Sequence, residues 1–193
     1  MSTHVVCERI SKKRWVRERT MAKTQKNDER IFYDTLYRNC MEIALASDCV
    51  KGKYGCIILS EGTVVAQTCN KKLEPLRELC EPNCIRLSIP SRTESMIGAC
   101  GHAEELAIAE AVKTKIDLDK CHLYVAGFRS DGLAYIKDGP EFTCLRCAVQ
   151  IYIHRVGCVW IPTRNGWEQM TGTQCIKSAK QYALQEKTLP KSS

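Results

Sequence analysis

Two short segments carry residue types that can hold a metal ion and move a proton: Gly101-His102-Ala103-Glu104 and Thr143-Cys144-Leu145-Arg146-Cys147. Each lies where irregular chain enters a predicted helix. The positive end of a helix and its unbonded N–H groups stabilise thiolates, and Cys144 and Cys147, three apart, share one face of a first turn. Two thiolates and one imidazole make three protein ligands, His102, Cys144 and Cys147, and leave a fourth tetrahedral position for water. That open position separates a catalytic zinc from a structural one. Zinc lowers the pKa of its water toward neutrality, so hydroxide becomes available as a nucleophile. Glu104, two residues after His102, reaches the water and a substrate ring as proton shuttle without being a ligand.

Neither motif is decisive alone. His-x-Glu is frequent at exposed helix starts, and Cys-x-x-Cys also serves redox dithiols and zinc knuckles. A redox pair would follow a strand in a thioredoxin-like unit. A zinc ribbon would need a second close knuckle, which Cys80-x-x-x-Cys84 supplies only imperfectly. Both motifs in this order, each opening a helix, favour the catalytic reading, and Glu104 disfavours a purely structural metal. A second, structural zinc is expected on Cys49, Cys80, Cys84 and Cys100. Four thiolates satisfy a closed tetrahedral site, and the stretch 70–101 has no hydrophobic pattern of its own to offset the entropy of ordering it. Cys7, Cys40, Cys56, Cys69, Cys121, Cys158 and Cys175 read as small apolar residues. His122 and His154 read as cap or surface residues, and Trp160 and Trp167 as packing.

The elements that must position these groups follow from periodicity. Residues 31–46 suit an amphipathic helix without Gly or Pro. Residues 54–59 and 63–68 are apolar, β-rich runs around Ser60-Glu61-Gly62 and read as an antiparallel hairpin. Residues 102–113 and 144–154 read as helices, 122–126 and 157–161 as strands, and 173–185 as a last helix. Strand, helix, strand implies a parallel crossover. The expected fold is α/β: three layers, with helices on both faces of a mixed sheet.

Bulk composition bounds the rest. The 44% hydrophobic and 26% charged residues are those of a packed globular domain. No apolar run of about 18 residues exists, and charges stand where a signal peptide needs an apolar stretch, so a cytoplasmic protein without membrane contact is expected. Thirteen cysteines in such a chain stay mostly as thiols. Of the net charge of +7, the first thirty residues carry +5, nine basic residues against four acidic. Such an arm can hold nucleic acid, or be a solvated tail. The expected organisation is a basic extension over 1–30, one domain over 31–187, and a frayed tail over 188–193.

His-x-Glu with a later Cys-x-x-Cys is the pattern of zinc deaminases that attack C4 of cytosine or C6 of adenine. Over about 31–162 the sequence resembles the cytidine and deoxycytidylate deaminase family, and among its branches the deoxycytidylate deaminases. Ser47-Asp48-Cys49-Val50-Lys51-Gly52-Lys53-Tyr54-Gly55-Cys56 is similar to the entry to that branch's hairpin, and Cys84-Ile85-Arg86-Leu87-Ser88-Ile89-Pro90-Ser91 with Cys100 to a further segment of some members. The resemblance implies a mixed five-stranded sheet in three α/β/α layers, hydrolytic deamination of dCMP to dUMP, a catalytic Zn2+ and a homo-oligomer. It also implies substrate contacts from Asn70, Ala103 and Phe142, with Asn70 on the sugar hydroxyl. The pattern departs from the family at Thr143 (usually Pro), Leu106 (often Asn) and Thr68-Cys69 (usually Gly-Tyr). Small-molecule nucleotide is the expected partner; RNA or single-stranded DNA held by the basic arm is the alternative.

Overall fold

In the computed structural model, residues 26–89, 98–137 and 143–188 are described. Helix α1 (Lys26–Leu45) leads into the strands β1 (Gly52–Ser60) and β2 (Thr63–Cys69). The two are antiparallel, with Ser60 opposite Thr63. Glu61 and Gly62 both have positive φ, the geometry of a two-residue primed turn that matches strand twist. After a two-residue ladder of β3 (Lys71–Lys72) with β4 (Cys100–Gly101) comes helix α2 (Ala103–Lys113). Strand β5 (Cys121–Arg129), helix α3 (Leu145–Ile153) and strand β6 (Cys158–Thr163) form the expected crossover, with β5 and β6 parallel. Strand β7 (Gly166–Met170) returns antiparallel to β6, and helix α4 (Gly172–Thr188) ends the described chain.

The sheet order is β2-β1-β5-β6-β7, the expected mixed five-stranded sheet. Successive residues of its central strands bury opposite ways, as a pleat of period two requires. Cys56 and Ile58 of β1 and Leu123 and Val125 of β5 pack with Ala107, Ile108, Ala148, Ile151 and Cys175 of the helices α2, α3 and α4. Ile57, Leu59, Tyr124 and Ala126 pack with Leu36 and Cys40 of α1, and Trp160 and Trp167 join this second cluster as packing residues. Tyr124 stacks on Trp160 with centroids 5.6 Å apart and meets Trp167 edge-on. Gly55 lets α1 approach: a Cβ there would lie 2.0 Å from the Cys40 carbonyl oxygen.

The expected helices and strands are all present, most of them longer at the ends. Strand β7 is the addition. Its five residues are all half-buried, with none of the alternation that marks a strand facing a core. Within the long stretch 70–101 the described order is the β3–β4 ladder and a 3-10 turn over Glu74–Leu79. Among the described residues no helix is long and apolar enough to cross a membrane.

Candidate active site

The site is built from two helix starts laid side by side. His102 is the N-cap of α2, with extended backbone, and its N–H donates to Glu105 Oε2 at 3.0 Å. One residue on, the Ala103 carbonyl accepts from Thr68 Oγ1 at 2.8 Å, which fastens this helix start to β2. Cys144 is the N-cap of α3, and the Cys147 N–H donates to its sulfur at 3.4 Å. The thiolate thus serves as the cap acceptor that Ser or Asp provides elsewhere. Arg146, between the two cysteines, places Nε 2.5 Å from Glu105 Oε1 and joins the two helix starts directly.

His102 Nδ1 lies 3.2 Å from Cys147 Sγ and 3.3 Å from Cys144 Sγ. Among the described residues these three form the one group of potential ligands whose donor atoms all lie within 4.8 Å of one another. The protonation balance within the trio suits a cation. The hydrogen bond with Cys147 outweighs burial and, with His102, draws the Cys144 thiol down to about 4. Burial pulls His102 downward, but its bond to Cys144 and the nearby carboxylates of Glu104 and Glu105 carry it up to about 9. The same bond to Cys144, with burial, pushes Cys147 well up. One imidazole and two thiols sharing protons around one point is a donor set that fits zinc, which displaces such protons on binding.

A cavity of about 570 Å³ is lined by His102 and Cys144 of this trio. Glu104 lines it, and burial together with the Cys144 thiolate raises its carboxyl above the usual range while His102 opposes them. Asn70 and Ala103 line it as well. The Asn70 carboxamide is partly engaged, accepting from the Tyr54 N–H at 2.7 Å and donating to the Gly52 carbonyl at 2.8 Å. A carboxamide keeps a second N–H and a second lone pair for a ligand. Phe142 lies outside the described residues. Cys49, Cys84 and Cys100 line the same cavity and Cys80 is buried, but among the described residues these four do not come together as a group with ligand spacing.

The cavity is also lined by Tyr135, an expected pocket aromatic, and by Lys51, Tyr54, Arg86 and Arg129, which sequence reasoning did not assign to it. Tyr54 meets Tyr135 edge-to-face at 5.9 Å. Lys51, Arg86 and Arg129 supply positive charge. Lys51 Nζ donates to the carbonyls of Arg86 and Ile89. Arg129 pairs with Asp131 at 2.9 Å. Outside the cavity, Glu105 at the third position of α2 could have been read from the chain as the reciprocal cap of His102.

Residues 31–163, which include both helix starts, match the family model for the cytidine and deoxycytidylate deaminase zinc-binding region. The chain belongs to this family. It is a zinc-dependent hydrolase of the deaminase kind, and the trio His102, Cys144 and Cys147 is its candidate zinc site. Two solved structures similar to this deaminase are a cytidine deaminase from Burkholderia pseudomallei and a dCMP deaminase from the cyanophage S-TIM5 in complex with dCMP and dUMP. The first is 16% identical, with 74% of this chain and 94% of that chain covered and a TM-score of 0.47. The second is 17% identical, with 77% and 91% covered and a TM-score of 0.49. Comparison with curated proteins found no match.

Proposed function

We propose that this deaminase acts on a free cytosine mononucleotide, dCMP or a close relative, replacing the C4 amino group by oxygen from water and releasing ammonia. The observation that carries the reading is the cavity itself: one space of about 570 Å³ is lined by His102 and Cys144 of the trio, by Glu104, and by Lys51, Arg86 and Arg129, the last with its partner Asp131. That volume is typical of small-molecule sites. A polynucleotide would call for a long basic groove with successive stacking platforms. Lys51, Arg86 and Arg129 can take the phosphate, and the Tyr54–Tyr135 pair offers the base an aromatic wall. Asn70, Ala103 and Phe142 are the remaining candidates for sugar and base contacts.

When bound, zinc makes a water molecule acidic enough to attack near neutral pH. The chain's own residues do the rest. Glu104 is positioned to accept the water's proton on its carboxylate and to deliver protons to the ring nitrogen and the departing amino group. A raised carboxyl pKa suits both directions of transfer, because the proton is neither held too weakly nor too tightly. Of the twelve described cysteines eleven are free thiols and one, Cys158, is in a disulfide; the free majority favours a reducing compartment, the cytoplasm.

A substrate panel tests the reading: cytidine, deoxycytidine, their monophosphates and single-stranded DNA, assayed for ammonia release. The highest kcat/KM is expected for a monophosphate, with activity kept when residues 1–20 are removed. Preference for single-stranded DNA, falling steeply with salt and lost with the arm, would instead mark a polynucleotide enzyme.

A further inference from the structure

Thr68 lies near the end of β2 farthest from the hairpin turn, on the face that meets α2. It stands opposite Cys56 in the β1–β2 ladder, and residues directly opposite share a face. Ala66, two positions earlier on that face, belongs with Cys56 to the core cluster that includes Ala103, Ala107 and Ala111 of α2. The setting is apolar, yet Thr68 brings a hydroxyl into it at 5% exposure. A buried hydroxyl is costly unless it is bonded. Here Thr68 Oγ1 donates to the Ala103 carbonyl at 2.8 Å, across 35 positions of chain.

That carbonyl belongs to the peptide joining Ala103 to Glu104. A peptide unit is planar, so an oxygen held in place fixes the plane on which the Glu104 Cα lies. The turn His102-Ala103-Glu104 is thus held at two points. Glu105 holds the His102 N–H at 3.0 Å, on the side of the metal ligand. Thr68 holds the next peptide, on the side of Glu104. Two residues on from Thr68, Asn70 holds the opposite wall of the cavity: its carboxamide accepts from the Tyr54 N–H at 2.7 Å and donates to the Gly52 carbonyl at 2.8 Å, and its own carbonyl accepts from Ser47 Oγ at 2.7 Å. Gly52, Tyr54, Asn70 and Glu104 all line the cavity. Residues 68–70 therefore set the distance between Glu104 and that wall.

We propose, on the reading of Glu104 as the proton relay, that Thr68 is a positioning residue for the deamination: its hydroxyl holds the Ala103–Glu104 peptide so that the Glu104 carboxyl stands in register with a base seated against Asn70 and Tyr54. Among the described residues Thr68 belongs neither to the potential metal ligands nor to the cavity lining. Loss of its hydroxyl therefore leaves zinc and substrate binding in place and slows the proton transfers, whose rates depend steeply on geometry. A merely structural role would reduce the amount of folded enzyme and leave the folded fraction with normal kinetics.

The test compares Thr68→Val, which keeps the branched shape and removes the hydroxyl, with Thr68→Ser, which keeps the hydroxyl. Wild type and Glu104→Gln are measured beside them, with zinc counted on the same preparations. The substrate is whichever of cytidine, deoxycytidine, their monophosphates and single-stranded DNA wild type deaminates fastest, so the outcome does not depend on which one it is. In Thr68→Val, kcat per bound zinc is expected to fall by about 10–100-fold with KM within about twofold of wild type, and Thr68→Ser to stay within about threefold of wild type. If Thr68→Val yields no folded protein, Thr68→Ala removes the same hydroxyl with less side chain to place and carries the same expectation. Wild-type kcat per zinc in a folded variant without the hydroxyl overturns the proposal. So does a loss confined to KM, or Thr68→Ser as slow as Thr68→Val. An active Glu104→Gln overturns the relay reading and this inference with it, whereas an inactive Glu104→Gln beside a fully active Thr68→Val overturns the positioning role alone.

Discussion

Arg146 Nε and Glu105 Oε1 meet at 2.5 Å, and through this ion pair the helix start that offers His102 is tied to the one that offers Cys144 and Cys147. Glu105 uses its other oxygen to hold the His102 N–H, so a single carboxylate sets the position of one ligand and the spacing to the other two. Both side chains are largely shielded from solvent, with 14% and 31% exposure, which limits screening of the pair. Glu105→Gln and Arg146→Met are expected to weaken zinc binding by about 10–100-fold, as loss of a group that orients ligands does. Competition with a chelator of known affinity reads this directly; wild-type affinity in both variants would show that the pair has no positioning role.

Substituting a ligand acts differently. His102→Ala, Cys144→Ser and Cys147→Ser each remove one of three protein ligands, so zinc content and turnover should fall together. Full occupancy of the catalytic site in Cys144→Ser would contradict the assignment.

The readable part of this molecule was the local part. His102 with Glu104, and Cys144 with Cys147, lie within one helical turn of each other, so sequence spacing alone places each pair at one helix start. The apolar runs of β1 and β5 were equally plain, because both strands are covered on two sides. What escaped depends on long-range placement. Glu105 and Arg146 are 41 positions apart, and nothing local to either announces the other. Strand β7 carries no burial pattern to read. The cavity wall gathers Lys51, Tyr54, Arg86 and Arg129 from several loops and strands, a set that only the finished sheet brings together.

Close approach at Gly55 should make it intolerant of any side chain. A Cβ there would stand 2.0 Å from the Cys40 carbonyl oxygen and 2.9 Å from the Ala44 nitrogen, both backbone atoms that cannot rotate away. Gly55→Ala is expected to cost about 3 kcal/mol, the upper end for overpacking, because α1 must lift from the sheet. Urea unfolding measures it, and a loss below about 1 kcal/mol would mean that α1 packs farther from β1 than described.

Buried thiols make stability fall in alkali. Burial pushes Cys40 and Cys175 up to about 12. In the unfolded chain they ionise near pH 9, so above that value the unfolded state releases protons that the folded state keeps. Their contribution is complete below about pH 9 and is lost as pH climbs toward 12, at about 1.4 kcal/mol per pH unit for each thiol. Cys40→Ala should flatten the decline by that amount between pH 9 and 11. Parallel declines in variant and wild type would show that Cys40 ionises freely in the folded protein.

The central claim is that Glu104 moves protons beside a zinc held by His102, Cys144 and Cys147. It is tested most directly by measuring zinc content and ammonia release on the same preparations of wild type and Glu104→Gln. The substitution keeps the shape of the side chain and removes no ligand, while a carboxamide cannot relay a proton. Unchanged zinc at the catalytic site with turnover lower by about 10²–10⁴-fold is the expected result. A Glu104→Gln enzyme with normal zinc and near-normal turnover would contradict the mechanism, and one that lost its zinc would show that Glu104 belongs to the ligand set.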